Sequence, residues 1–377
     1  MSGFLGGLAL AAAAAPATGS APVITAPAAV LVDVSSGQTL YAREGDRRFM
    51  PASLTKVMTA YVAFGLIQSG KLDPQRRVPV SDAAFRQWAR VGSTMFLDRG
   101  QTPTVDQLLT GIMTVSANDA CIVLAEGIAG SVPAFTAMMN RTARELGMRN
   151  SHFNTPNGWI DQGQTYTSAR DLAILGEAMV TRYPALYAHY VGHQAMTYDG
   201  IAQDTHNPLL GNYRGADGIK TGFTNQAGYG LLGAANRDGR RLIVVIAGAD
   251  LPRQRANEAS ALLDWGYNGW TAEKLAPAGH VLASARVQGG VQTSVPLIAG
   301  TTLYTAMPRG TMQGYTLAVR YTSPLRAPLK AGDRVGTLVV HRPAAPDAVL
   351  PLVAGQTVPE GGFWARLHDG LLTLVGQ

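Results

Sequence analysis

The stretch from Pro51 to Ala60 reads PASLTKVMTA, with a serine and a lysine three residues apart, Ser53 and Lys56. They stand at the front of an apolar run that extends to Gly70. Residues three apart on a helix share a face. A helix from Ala52 to Gly70 therefore sets the Lys56 amine beside the Ser53 hydroxyl. A serine hydroxyl is a poor nucleophile until a neighbour takes its proton. Lysine can do so only when neutral, which burial and a nearby cation bring about by lowering its pKa. Pro51 precedes the helix and sets Ser53 in its first turn, where unpaired N–H groups and the positive dipole end favour an oxyanion. Alone, the Ser-x-x-Lys spacing arises by chance on the order of once in a chain of this length, and an ordinary amphipathic helix accounts for it.

Two further groups downstream change that balance. Ser116-Ala117-Asn118 falls at a loop-to-helix junction. It offers a hydroxyl for proton relay and an amide that can donate to a substrate carbonyl; by itself it reads as a helix cap. Lys220-Thr221-Gly222 closes a strand that enters through Asp217-Gly218-Ile219. An ammonium and a hydroxyl at a strand edge suit a substrate carboxylate, and Gly222 lets a ligand come close to the backbone. Each group alone is common. In this order, in one chain, they are far less so.

Around these groups the chain organises itself. Ala28 to Val34 and Gln38 to Ala42 read as strands about the turn Ser35-Ser36-Gly37. Helical signals fill the middle: a capping box at Thr104 and Gln107, Ser116 to Gly127, Ser131 to Met148, and a start at Ser168 with Asp171. Strands return at Ala216 to Gly222, Gly228 to Ala235 and Arg241 to Ala249, before a helix from Arg253 to Trp270. Strands at both ends with helices between predict one α+β domain over residues 28–272, its sheet assembled from both ends of the chain. Short apolar runs with turn signals then predict a small all-β domain over 277–360. Trp364, Leu367, Leu371 and Leu374 give the segment 361–377 an amphipathic stripe.

The residues PASLTKVMTA (Pro51–Ala60), SANDAC (Ser116–Cys121), NTPNGW (Asn154–Trp159) and DGIKTG (Asp217–Gly222) resemble the serine D-Ala-D-Ala carboxypeptidase family, the low-molecular-mass penicillin-binding proteins. The resemblance runs from Ala28 to Trp270 and more weakly through the β domain and the Gly361-Gly362-Phe363 tail. It implies the penicillin-binding, β-lactamase-like transpeptidase fold, a helical cluster on an antiparallel sheet. It implies an enzyme that removes the last D-alanine from peptidoglycan stem peptides and is acylated by β-lactams. Ser53 would be the nucleophile, Lys56 its base and Ser116 a proton relay. Asn118, Lys220, Thr221, Gly222 and Phe223 would bind substrate, with the N–H groups of Ser53 and Phe223 as oxyanion hole. Arg255 would face the substrate carboxylate, or stand solvated at a helix start. The tail resembles the family's membrane-anchoring helix and implies weak association with the outer face of the inner membrane.

The rivals are a β-lactamase and a non-catalytic wall-binding protein. Class A β-lactamases carry a deacylating glutamate in a Glu-x-x-Leu-Asn pattern. Between Asn118 and Lys220 this chain has Glu126, Glu145 and Glu177, none in that pattern. Glu177 reads as a surface helix position.

Charge and composition exclude other classes. The net charge is +6, with a pI near 9.5, but the positive residues are scattered arginines and no nucleic-acid motif is present. Arg237, Arg240 and Arg241 flank Asp238-Gly239, a hairpin turn. The one cysteine, Cys121, permits no internal disulfide and no thiolate metal site. One turn past Asn118, it is either an inert packing thiol or a place where a bulky reagent would crowd the site. His189 and His193 have helical metal spacing but no acidic third ligand follows. Neither metal nor cofactor is expected. Residues 1–17 are apolar and alanine-rich and read as an export leader, so the protein is expected in the periplasm. No later run is long and apolar enough to span a bilayer.

Overall fold

The computed structural model describes residues 20–310, 314–342 and 345–362. The expected leader at 1–17 and nearly all of the amphipathic segment at 361–377 lie outside the described residues. The chain divides into two compact units: residues 21–34 with 39–266, and the turn 35–38 with the chain from 267 onward.

The first unit opens with β1 (Ala28–Asp33) and β2 (Gln38–Arg43). Its helices follow: α1 (Lys56–Gln68), α2 (Asp82–Trp88), α3 (Val105–Thr114), α4 (Asn118–Ala129), α5 (Val132–Leu146), α6 (Ala169–Arg182) and α7 (Pro184–Tyr190). Then come β3 (Ala195–Tyr198), β4 (Ile201–Asp204), β5 (Ala216–Thr224), β6 (Gly228–Arg237), β7 (Arg240–Ala249) and α8 (Pro252–Gly269). The main sheet runs β2-β1-β7-β6-β5. Ala28 pairs with Ala247 and Asp33 with Leu242, so the two ends of the unit meet at the centre of the sheet, as expected. β1 is buried along its whole length and apolar from Ala28 to Val32, as a strand covered on both faces must be. The covers are α6 and α8. Gly176 of α6 faces Ile243, whereas Gly266 of α8 faces Leu242 and Leu31. Neighbouring strand residues point to opposite faces, so the two helices lie on opposite sides.

From Lys56 to Phe64 every residue of α1 is buried. A helix covered all round is a core helix, and Lys56 is its first residue. The structure corrects two expected boundaries. The helix expected over Ala52–Gly70 begins as a 3-10 turn, Ala52–Thr55, and becomes α-helical only at Lys56. The helix expected from Ser116 begins at Asn118, because Ser116 sits in the left-handed region at φ 65°. Helices α2 and α7 and the β3–β4 hairpin were not expected.

The second unit comprises β8 (Trp270–Ala276), β9 (Val281–Gln288), β10 (Ser294–Ala299), β11 (Leu303–Pro308), β12 (Thr316–Arg320), β13 (Leu325–Arg326), β14 (Arg334–Arg342) and β15 (Ala345–Ala354). Six of these strands form a sheet in the order β12-β14-β15-β10-β9-β13, and β11 pairs with β8. Val295, Leu297, Leu338, Val340, Leu350 and Leu352 fill its core.

Candidate active site

Ser53 lies in the 3-10 turn, behind Ala52, whose φ is +48°. Two glycines hold that turn in place. A Cβ on Gly158 would stand 1.8 Å from the Ala52 carbonyl oxygen, and one on Gly222 would stand 2.8 Å from that of Pro51. The nucleophile turn is thus pressed between the Asn154–Trp159 loop and the outer edge strand β5. Residues i and i+3 of a 3-10 turn eclipse one another, which aligns Ser53 with Lys56.

Lys56 is fully buried. Its Nζ lies 2.7 Å from Ser53 Oγ, 2.8 Å from Asn118 Oδ1 and 2.7 Å from the Asn157 carbonyl oxygen. Burial lowers its pKa to about 8, against the opposing influence of Cys121 and Asp119. The Asn118 amide orientation is fixed by its other end, since Nδ2 donates to the Val91 carbonyl at 3.0 Å. Asn118 Oδ1 and Asn157 O can only accept. A neutral Lys56 amine therefore spends its two N–H bonds on them and turns its lone pair to the Ser53 hydroxyl. The Ser116-Ala117-Asn118 group alone reads as a helix cap, but no side chain caps α4, and Asn118 Oδ1 accepts from the lysine.

Asp119 fixes the loop opposite. Its buried carboxylate accepts from the backbone of Met95, Leu97 and Ala120 at 2.9–3.1 Å. Burial pushes its pKa up while those N–H groups pull it down. The Asn118 N–H donates to the Ser93 carbonyl at 2.7 Å, which brings Ser93 to the pocket.

A pocket of about 350 Å³ opens in front of Ser53, lined by Ser93, Ser116, His206, Thr221, Gly222, Phe223, Tyr229 and Arg255. Lys220 is buried behind it and donates to the Thr221 carbonyl at 3.1 Å. Burial, then the charge of Lys56, holds its pKa well below the usual lysine range. Arg255 is not a solvated helix-start residue. It is 7% exposed, lies over the Tyr229 ring, and its buried Nε has no hydrogen-bond partner. Phe223 stacks on Tyr229 at 4.1 Å and stays half-exposed at the rim.

The candidate site residues Ser53, Lys56, Ser116, Asn118, Lys220, Thr221, Gly222, Phe223 and Arg255 lie around or just behind this pocket. Those the sequence did not announce are Ser93, Asn157, His206 and Tyr229. Asn157 works through its backbone oxygen, which leaves no side-chain signature. Cys121 is wholly buried, its thiol pushed up to about 12 by desolvation, and is a packing residue. The other singled-out groups lie elsewhere. His189 pairs with Asp106 at 2.9 Å, and His193 Nε2 meets the His189 carbonyl at 2.7 Å. Arg237, Arg240 and Arg241 pair with Asp264, Asp33 and Asp217. Glu126 accepts from Ser81 at 2.8 Å, Glu145 borders a separate cavity, and Glu177 is half-buried on α6.

Residues 15–251 match a family model described as D-alanyl-D-alanine carboxypeptidase, and residues 270–360 one described as penicillin-binding protein 5, C-terminal domain. The D-alanyl-D-alanine carboxypeptidase DacA of Escherichia coli (strain K12) is 36% identical over 353 residues, 92% of this chain and 87% of that protein. Penicillin-binding protein 5 from Haemophilus influenzae superposes with a TM-score of 0.79 at 34% identity, covering 90% of this chain and 99% of that one. Penicillin-binding protein D2 from Listeria monocytogenes, solved in an ampicillin-bound form, gives a TM-score of 0.59 at 28% identity over 66% of this chain and 100% of that one.

Proposed function

The chain belongs to the D-alanyl-D-alanine carboxypeptidase family, and we propose that Ser53 is the nucleophile with which it removes the terminal D-alanine from peptidoglycan stem peptides. The enzyme is a serine-type carboxypeptidase. The observation that carries the assignment of Ser53 is the buried Lys56 amine 2.7 Å from its hydroxyl, with its other two partners acceptors only.

Ser53 Oγ attacks the carbonyl carbon of the D-Ala–D-Ala bond as its proton passes to Lys56 Nζ. The carbonyl oxygen becomes an oxyanion facing the N–H groups of Ser53 and Phe223, where fixed donors stabilise it most. Phe223 suits this role because β5 is the edge strand of the main sheet among the described residues. The C–N bond breaks, the leaving amine takes a proton by way of Ser116, and D-alanine departs. Water then attacks the ester, giving its proton to Lys56; the ester C–O bond to Ser53 breaks, and Lys56 returns the proton to Ser53 Oγ as the shortened peptide leaves. Arg255, Thr221 and Lys220 receive the terminal carboxylate, and the second N–H of Asn118 Nδ2 donates to a peptide carbonyl. Carboxylate binding favours the charged form of Lys220, and that charge in turn favours the neutral, basic form of Lys56.

β-Lactams acylate the same serine on this reading, supported by the ampicillin-bound relative. On this reading the protein works in the periplasm, for which the stem-peptide substrate is the support. Residues 361–377 add a weak hold on the outer face of the inner membrane, for which the amphipathic stripe is the support.

Incubation with an acylated peptide ending in D-Ala-D-Ala should release D-alanine, and intact mass after penicillin treatment should show one adduct. Ser53→Ala should abolish both. An adduct on another residue, or D-alanine release by the variant, would refute the assignment.

A further inference from the structure

We propose that His206 is the proton-coupled wall of the pocket that receives the substrate's terminal carboxylate, so that peptide binding draws a proton onto its imidazole. The inference rests on the substrate reading above and adds a residue that reading does not use.

His206 lines the same pocket as Ser53, Ser116, Thr221 and Arg255. The loop that carries it is tied down on both sides. Thr205 N–H donates to the Gln194 carbonyl at 2.8 Å, and Leu209 N–H donates to Asn207 Oδ1 at 3.1 Å. The ring is therefore presented from fixed backbone. The charged groups acting on it come from two other elements, Lys220 of β5 and Arg255 of α8, and both are cationic when protonated. Tyr229 of β6 is the other titratable side chain lining the pocket. Asp204, at the end of β4, is exposed and is not among the groups that shift the ring.

Partial burial, then Lys220 and Arg255, lowers the His206 pKa, so the ring is neutral at neutral pH while the pocket holds no anion. An entering carboxylate reverses the local field. An opposite charge within hydrogen-bonding range favours the charged form, and a protonated imidazole donates from both nitrogens. The carboxylate thereby gains a charge-assisted hydrogen bond at the cost of one proton from solvent. The sign follows: binding raises the pKa of His206, so affinity grows as pH falls. A one-unit rise is worth at most about tenfold.

The test uses the full chain carrying Ser53→Ala, which binds without turnover, and calorimetric titration with an acylated peptide ending in D-Ala-D-Ala. Between about pH 7.5 and 5.5 the peptide carboxylate stays ionised, and affinity should rise roughly three- to tenfold. Titration in buffers of different ionisation heat should show proton uptake. His206→Gln should flatten the pH dependence and remove that part of the uptake. His206→Arg, with a fixed charge, should bind tightly at both ends of the range without it. The same peptide with an amidated C-terminus should draw no proton. If His206→Gln keeps the full pH dependence and uptake, the protons go to Lys56 or Lys220 and the proposal falls. Failure of the unsubstituted protein to release D-alanine would instead overturn the substrate reading.

Discussion

Lys56 has as many partners as an ammonium has protons, so one must change role when it becomes a base. Only Ser53 can, since the Asn118 and Asn157 oxygens have no proton to give. Burial sets the balance point at about pH 8. Because that pKa is lowered, the basic form grows as pH rises through it. At pH 7 about a tenth of the lysine is neutral. We expect kcat/KM for a D-Ala-D-Ala peptide to climb up to about tenfold per pH unit below that point and to level above it. A profile flat from about pH 6 to 9 would exclude Lys56 as the titrating base. The Ser53–Lys56 pair was legible because a three-residue spacing aligns side chains in an α-helix and in a 3-10 turn alike. The burial of Arg255 was not, for it depends on α8 packing over β6, and His206 stands in a loop with no motif around it.

The Asn154–Trp159 loop shapes the site through its backbone: Asn157 gives a carbonyl to Lys56, and Gly158 lets the Ser53 turn approach. Gly158 has φ +73°, a conformation side chains rarely adopt, and the added Cβ would overlap the Ala52 carbonyl. Gly158→Ala should therefore push the nucleophile turn away. An ångström of misplacement can cost about a hundredfold, so penicillin acylation, followed by intact mass, should slow by roughly that factor. Acylation at the unsubstituted rate would show that the close approach is dispensable. Elements were legible where pattern and turn chemistry agreed. Asp238-Gly239, both at positive φ, joins β6 to β7 between long apolar strands. Asp199-Gly200 makes an equally tight turn between β3 and β4, but both strands are exposed or half-buried and lack apolar alternation. Ser53 and Ser116 were read into α-helices and fall outside them for a local reason, the left-handed backbone at Ala52 and at Ser116 itself.

The catalytic unit gathers its site from distant parts of the chain, and among the described residues no carboxylate lines the pocket. Water attack on a penicilloyl ester must then use Lys56 or Ser116, without the dedicated base of a β-lactamase. General-base help is worth about 10²–10⁴-fold, and the opened β-lactam stays tethered where D-alanine would have left. The penicilloyl enzyme should therefore outlast the D-alanyl ester and persist at least about a hundredfold longer than it would with a dedicated base, as read from intact mass over time. Rapid penicillin turnover with little adduct and no D-alanine release would make the protein a β-lactamase. The closure of the main sheet from both chain ends was legible, because apolar strands flank a helical block. The strand order of the second unit was not: its short runs have similar patterns, and nothing local chooses β15 rather than β9 as the neighbour of β14. The pairing of Ala28 with Ala247 also sets a birth order. The first strand to leave the ribosome waits for the last strand of its sheet, a contact distant enough in sequence to form late in folding. Nascent chains that stop short of β7 carry the serine and the lysine but no finished sheet to hold them. Hydrolytic competence thus arrives in one step, only once β7 has been made.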